Sequence, residues 1–279
     1  MDNQSLYSIT NGLATFGPET VLLLDKLDAL FLKLSEDVKA ENMVFPPLMK
    51  VNDLSSLDYF VNFPHLGLAV SGLTDEACSC LTSHKEQVDT VRQIHIRDSG
   101  HMLPSAACYN VYLYLRNETL TQARYYTTIA RCYRNESEYN ALERLWSFQM
   151  REIVCVGSME EVQHFLSTYK EKVIALAERI GIVFEIEVAT DPFYDSQGTK
   201  ALIQKLQPVK EEFVFEQTVS AASINFHRNF FGDRCNINNV QGEALFSGCV
   251  AFGLERWLHA LLKTNGHDLK TLLRKLDNA

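Results

Sequence analysis

The apolar positions of the chain follow two periods, and these divide it into helical and extended segments. Over residues 18–40, Val21, Leu22, Leu24, Leu27, Leu30, Phe31 and Leu34 recur at three- and four-residue intervals behind Pro18-Glu19-Thr20. That is the spacing of one apolar helix face, opened by a proline at the first turn. Residues 159–180 repeat the pattern with Val162, Phe165, Val173, Leu176 and Ala177, and Gly181 supplies a stop. A third helix is predicted over 254–262, ending at Asn265-Gly266, and a short fourth over 268–276 with Asp268 as its N-cap. Residues 76–92 also read as helical. Between the helices the period drops toward two. Strands are predicted at 43–49, 94–97, 108–114, 125–134, 148–156, 182–188 and 245–252, with one or two more over 210–223. Pro46 and Pro47 cannot donate ladder hydrogen bonds, so the 43–49 strand belongs at an edge or an interface. Adjacent strands flanked by helices predict an α+β fold on a mostly antiparallel sheet.

Composition narrows the class. With 279 residues, 46% hydrophobic and 22% charged, the chain can bury a core, which excludes disorder. Its 26 Lys and Arg against 35 Asp and Glu leave a net charge of −9, unsuited to a broad nucleic-acid surface. No apolar run approaches the ~18 residues of a membrane span. Met1-Asp2-Asn3-Gln4-Ser5 lacks the basic and apolar regions of a secretory leader, so a cytoplasmic protein is expected. There the seven cysteines (78, 80, 108, 132, 155, 235 and 249) would be reduced, and by default small buried hydrophobes. No CxxC pair occurs, and Cys78-Ser79-Cys80 is too tight for a zinc knuckle. Gly198-Thr199-Lys200 lacks the preceding glycine of a phosphate-binding loop. No Ser/His/Asp or nucleophilic-Cys signature is present either.

Two segments carry more information. Arg131-Cys132-Tyr133-Arg134-Asn135-Glu136 ends one strand, a loop brings Arg144, and Phe148-Gln149-Met150-Arg151-Glu152 opens the next. Further on, Gly248-Cys249-Val250-Ala251-Phe252-Gly253 feeds small residues into a helix whose first turn holds Glu255-Arg256. These resemble motifs 2 and 3 of class II aminoacyl-tRNA synthetases, over residues 125–156 and 245–262. The segment 18–50 resembles the weaker motif 1, which builds the dimer interface of that class. Asp191-Pro192-Phe193-Tyr194, Ser223-Ile224-Asn225-Phe226-His227 and Phe231-Gly232 extend the likeness. Together they resemble the catalytic domain of atypical zinc-dependent seryl-tRNA synthetases. The likeness is closer still to their truncated relatives, the amino acid:[carrier protein] ligases.

The resemblance implies one catalytic domain over residues 1–279 without a tRNA-binding arm, and a homodimer. It implies ATP-dependent activation of a small amino acid, glycine or alanine favoured, to an aminoacyl adenylate. The acceptor would be the phosphopantetheine thiol of an acidic carrier protein, with no tRNA and no membrane partner. Such chemistry joins two anions and needs fixed cations, and the arginine fork suits both carboxylate and phosphate. By resemblance Arg134 would hold the α-phosphate and the substrate carboxylate. Glu136 would contact the adenine amino group, Arg144 the β/γ-phosphates and Arg256 the γ-phosphate, with Phe148 stacked on adenine and Mg²⁺ on the phosphates. Cys108, Glu152 and Cys249 would hold Zn²⁺ with a fourth position open to the substrate amine. These three lie in predicted strands, 44 and 97 residues apart, a spacing that by itself indicates no site. Asn225 and Ser223 would line the amino-acid pocket with Asp191 and Phe193, while His227 is expected to be structural. Arg131, Arg151 and Glu255 are equally well read as solvated surface charges. Lys200, Lys205 and Lys210, or Lys263, Lys270, Arg274 and Lys275, would offer a positive patch to the carrier. The alternatives are tRNA aminoacylation and a non-catalytic paralogue acting as a regulatory module.

Overall fold

The computed structural model describes residues 6–83, 88–195, 197–198, 202, 204, 206–266 and 268–279. A hairpin, β1 (Tyr7–Thr10) and β2 (Leu13–Phe16), leads into helix α1 (Pro18–Glu36). Short pieces follow: β3 (Glu41–Met43), β4 (Met49–Lys50), α2 (Val51–Ser56), α3 (Tyr59–Asn62), β5 (Ala69–Leu73), α4 (Asp75–Ser83) and β6 (Ile96–Met102). Next come α5 (Tyr109–Tyr114), β7 (Thr119–Leu120), and the long pair β8 (Arg124–Tyr133) and β9 (Ser147–Gly157). Helix α6 (Met159–Ile180) precedes β10 (Glu185–Ala189), β11 (Lys210–Phe215) and β12 (Val219–Arg228). The chain closes with α7 (Phe230–Cys235), β13 (Asn238–Asn239), β14 (Phe246–Gly253), α8 (Leu254–Asn265) and α9 (Leu269–Asp277).

The main sheet has seven strands in the order β10-β11-β12-β14-β9-β8-β3. Every pairing in it is antiparallel except β3 with β8. The fold is therefore α+β on a mostly antiparallel sheet. The two-residue period of the strands sorts side chains by chemistry. On the back face Phe213, Ala222, Ile224, Val250, Phe252 and Ile153 are buried under α1, α6, α8 and α9. Phe31 of α1 stacks on Phe252 at 4.3 Å, and Trp257 of α8 meets both rings. Gly248 lets α6 come close, because a Cβ there would lie 2.9 Å from Val162 and from Leu166. Capping is strong at α6: Ser158 and Glu161 form a capping box, and Gly181 ends the helix at φ +82°. On the front face a second apolar cluster joins α5 and α7 to Tyr126, Val154 and Val156. Among the described residues no helix is long and apolar enough to cross a membrane.

Several expectations change. Residues 108–114 form helix α5 with Cys108 at its N-cap, not a strand. Val111, Tyr112 and Leu115 pack as one buried stripe, with Tyr112 stacked on Phe231 at 3.8 Å. Tertiary burial thus overrides the β-forming character of the tyrosines and valine. The 43–49 strand splits into β3 and β4, because Pro46 and Pro47 fall between them. Helix 76–92 ends at Ser83, part of the rest lies outside the described residues, and 88–92 is irregular. Residues 93–95 form a 3₁₀ turn before β6, and the 182–188 strand begins only at Glu185. Cys235 is buried at the end of α7, as a core cysteine would be. Cys78 is exposed, unlike a core cysteine. Arg151 and Glu255, which could have been surface charges, are 3% and 1% exposed. Lys200 and Lys205 lie outside the described residues. Lys210 is no free positive charge, since it pairs with Glu212 at 2.9 Å and Asp191 at 3.5 Å.

Candidate active site

The front face of the sheet carries the site. Paired residues on neighbouring strands share a face, so the register itself assembles it. Glu152 lies opposite Ala251, Cys249 opposite Val154 and Asn225, and Ser223 opposite both Ala251 and Glu212. Met150, and with it Phe148, belongs to the same alternation on β9. One pocket is lined by Arg134, Glu136, Arg144, Phe148, Ser223 and Arg256. Lys210, Glu212, Glu143 and Glu255 join its wall. The first four come from the end of β8, the loop to β9 and the start of β9; Arg256 sits in the first turn of α8.

Two of the arginines are held in place. Arg256 donates Nε to the Glu143 carbonyl at 2.7 Å and Nη1 to the Ser220 carbonyl at 2.8 Å. Burial, and then neighbouring Arg134, lower its guanidinium to about 10, so it stays a cation at neutral pH. Arg134 donates Nε to the Ser105 carbonyl at 3.2 Å, and its guanidinium lies 5.0 Å from the centre of the Phe148 ring. Arg144 is the exposed member, at 44%, and stands 3.5 Å from Glu138. The loop that carries it is braced by the β1–β2 hairpin. Trp146 N–H donates to the Gly12 carbonyl at 2.8 Å, and Trp146 stacks with Tyr139. Gly12, at φ +75°, lies so close under Tyr139 that a Cβ would fall 2.5 Å from its ring.

Beneath the pocket the structure brings together Cys108, Glu152 and Cys249, all buried, with one donor atom of each within 4.8 Å of the others. Strands supply Glu152 and Cys249, but Cys108 arrives on the N-cap of α5. Glu152 Oε1 accepts the backbone N–H groups of Ala107 and Cys108 at 2.9 and 3.0 Å. This fixes the carboxylate and leaves its other oxygen for the cluster. The Cys108 thiol is pushed up by its hydrogen bond with Cys249, by burial and by Glu152. Cys249 is drawn down by that same hydrogen bond, yet burial and Glu152 outweigh it and leave the thiol at about 11. Three acidic groups in one dry place repel each other's charge, and a divalent cation removes that conflict. The donor set fits Zn²⁺, which takes thiolate and carboxylate ligands, and three protein donors within 4.8 Å of one another leave a fourth position open.

Of the remaining expected residues, Asn225 adjoins the cluster, whereas Asp191 and Phe193 are not part of the pocket lining. Asn225 Nδ2 donates to Ser223 Oγ at 3.0 Å and to Cys249 Sγ at 3.4 Å. His227 is half-buried, and desolvation of its ring presses it down to about 4 and keeps it neutral. Asp191 accepts from Gln204 at 2.9 Å, and Phe193 stacks on Phe63 at 5.4 Å. Glu255 accepts Gln149 N–H with both oxygens, at 2.8 and 3.0 Å, and Arg131 stands 3.6 Å away. Arg151 is ion-paired with Asp28 of α1 and donates to Thr127 Oγ1 at 3.1 Å. A place in the pocket wall for Lys210 and Glu212, and the two amides on Glu152, were not foreseen. The amides leave no trace in side-chain identity. Lys210 and Glu212 do show as part of the charged run Lys210-Glu211-Glu212 that opens a strand, a pattern that equally suits a solvated face.

An antiparallel sheet with helices behind it and arginines on its front, delivered by a strand–loop–strand and by a strand–helix junction, defines a class II aminoacyl-tRNA synthetase-like catalytic fold. Solved structures agree. The crystal structure of M. kandleri SerRS in complex with A. aeolicus tRNASec superposes with a TM-score of 0.85 at 23% identity, over 99% of this chain and 59% of that one. No protein-family profile matches the chain. The chain is 33% identical over 258 residues to amino acid–[acyl-carrier-protein] ligase 1 of Bradyrhizobium diazoefficiens, covering 88% of this chain and 78% of that protein. Ligase 2 of the same organism is 31% identical over 86% of this chain and 75% of its own length. The type-2 serine–tRNA ligase of Methanopyrus kandleri is 29% identical over 62% of this chain and 36% of its own. The chain belongs to the amino acid–[acyl-carrier-protein] ligase family.

Proposed function

We propose that this chain joins a small amino acid, glycine or alanine in the first instance, to the AMP part of ATP and then passes it to the phosphopantetheine thiol of an acidic carrier protein. One observation carries the reading: Arg134, Arg144 and Arg256 face a single pocket beside the buried Cys108, Glu152 and Cys249. In the first step a carboxylate oxygen bonds to the α-phosphorus and pyrophosphate leaves. In the second, the thiol sulfur bonds to the acyl carbon, AMP leaves with the bonding electron pair, and the thiol proton is released. Neither step needs a protein nucleophile; both need fixed positive charge and alignment. In this reading Arg134 holds the α-phosphate and substrate carboxylate, Arg144 the β/γ-phosphates, and Arg256 the γ-phosphate. Glu136 meets the adenine amino group and Phe148 its ring. Ser223 and Asn225 border the amino acid. Cys108, Glu152 and Cys249 hold Zn²⁺, which offers a Lewis-acid position for the substrate amine, and Mg²⁺ offsets the phosphates.

Residues 1–279 act as one catalytic domain in this proposal, paired as a homodimer through the 18–50 segment. The exposed Val21, Leu22, Val44 and Leu48 there, Val44 at 86%, support a covered face. The higher identity to ligases named for acyl-carrier protein than to the serine–tRNA ligases favours the carrier as acceptor. Labelled glycine, alanine or serine is incubated with ATP and either holo carrier protein or bulk tRNA. Label on the carrier is expected; label on tRNA alone overturns the reading. Absence of pyrophosphate exchange with every amino acid would instead indicate a non-catalytic module.

A further inference from the structure

We infer that His227 is a positioning residue for Cys249: its Nε2–H donates to the Cys249 sulfur, and Tyr112 fixes the ring in the tautomer that can do so. The inference rests on the proposed zinc reading of Cys108, Glu152 and Cys249. His227 Nε2 lies 3.7 Å from Cys249 Sγ, within reach of a hydrogen bond to sulfur. On the opposite side of the ring, Nδ1 faces Tyr112 Oη at 3.0 Å and Ser247 Oγ at 3.4 Å. A neutral imidazole has one N–H. A metal-bound cysteine has no proton to give, so a ring nitrogen facing it must be the donor. Nδ1 is then the acceptor, and the Tyr112 hydroxyl supplies the proton that it accepts. Only this tautomer satisfies both ends.

The surroundings hold the ring in that place. Tyr112 is fully buried and stacks on Phe231 at 3.8 Å, and His227 stands edge-on to the same Phe231 at 5.0 Å. His227 is the extra residue of a β-bulge between Phe226 and Arg228, with Arg228 at φ +55°. A bulged residue leaves the ladder, so the ring is not confined opposite Ser247 and reaches Cys249 two residues along. Asn225 Nδ2 donates to the same sulfur from directly across the ladder, at 3.4 Å. Glu152 is fixed by backbone amides instead. Two of the three donors thus have their own dedicated hydrogen-bond donors, one set from side chains and one from main chain.

The test compares the wild-type chain with His227→Phe, His227→Gln, Tyr112→Phe and Cys249→Ser. Zn²⁺ affinity is read by competition with a chromophoric chelator, and the sulfur-to-metal absorption by Co²⁺ substitution. His227→Phe keeps the ring's bulk and loses the donor, so Zn²⁺ binding should weaken about 10- to 100-fold and the Co²⁺ band should shift. His227→Gln retains an N–H near the sulfur and should recover most of the affinity and the band position. Tyr112→Phe should weaken binding in the same direction and by less. The metal-free melting temperature of each variant reports folding separately, and Tyr112→Phe carries the test should His227→Phe not fold. Wild-type affinity and an unshifted band in His227→Phe or Tyr112→Phe overturn the inference alone. A wild-type chain that binds no Zn²⁺, or a Cys249→Ser chain that keeps it, overturns the zinc reading and the inference with it.

Discussion

Glu255 gives a quantitative test of how the site is built. Its carboxyl is 1% exposed, and burial raises it from 4.5 to about 7 against the opposing pull of Gln149 N–H and Arg131. A carboxyl raised in the folded state binds its proton more tightly there than in the unfolded chain. It therefore contributes stability below 4.5, and that contribution is lost as pH rises through about 7. The step corresponds to about 3 kcal/mol, and the near-complete burial leaves little solvent screening to reduce it. Glu255→Gln is neutral at every pH and keeps one oxygen to accept Gln149 N–H. Urea unfolding of the metal-free wild type and variant, at intervals from about pH 4.5 to 8, measures the difference directly, since the other titrating groups cancel. The wild type should lose about 3 kcal/mol relative to the variant across that window, with an unchanged denaturant slope. A flat difference would refute the claim that a buried, protonatable carboxyl seats the start of β9 under Phe148.

Other perturbations probe separate parts. Arg256→Ala removes the anchored fork and should slow pyrophosphate exchange by about 10²- to 10³-fold with the fold intact by circular dichroism. Cys108→Ser and Cys249→Ser should each lose the roughly one zinc per chain that a single three-ligand site holds, measured by metal analysis. Gly12→Ala places a methyl 2.5 Å from the Tyr139 ring at φ +75°, so it should cost about 1–3 kcal/mol in thermal unfolding and raise the KM for ATP. Asp28→Ala strips Arg151, 3% exposed, of its carboxylate and should cost about 3 kcal/mol, read by urea midpoint.

Much of this was legible from residue types alone. The helices over 159–180 and 254–262 carry clear apolar stripes and glycine or asparagine stops, and they appear nearly where the periodicity sets them. The arginines that line the pocket were singled out through the likeness of their two segments to motifs 2 and 3, which are local features: a loop between two β-forming runs and a strand–helix junction. Cys108 was misplaced in a strand for a non-local reason. Whether Tyr109-Asn110-Val111-Tyr112 winds or extends is decided by Phe231, more than a hundred residues away. Burial of Arg151 was hidden in the same way, since its counter-charge Asp28 lies on α1. Main-chain contacts such as those of Ala107 and Cys108 to Glu152 leave no mark on composition at all.

Separation along the chain has a consequence for the order of events in folding. Cys108, Glu152 and Cys249 are brought within 4.8 Å only after α5 has docked and β14 has zipped onto β9. Closing loops of that length and pairing strands so remote is slow and must precede any ion that needs all three donors. The scaffold is thus formed by its helix-backed sheet, and an ion bound there would arrive as a late occupant rather than as the nucleus. A chelator should then leave a folded, cooperatively melting chain. Excess metal during synthesis should do little to speed folding, unlike in small domains that are unfolded without their metal.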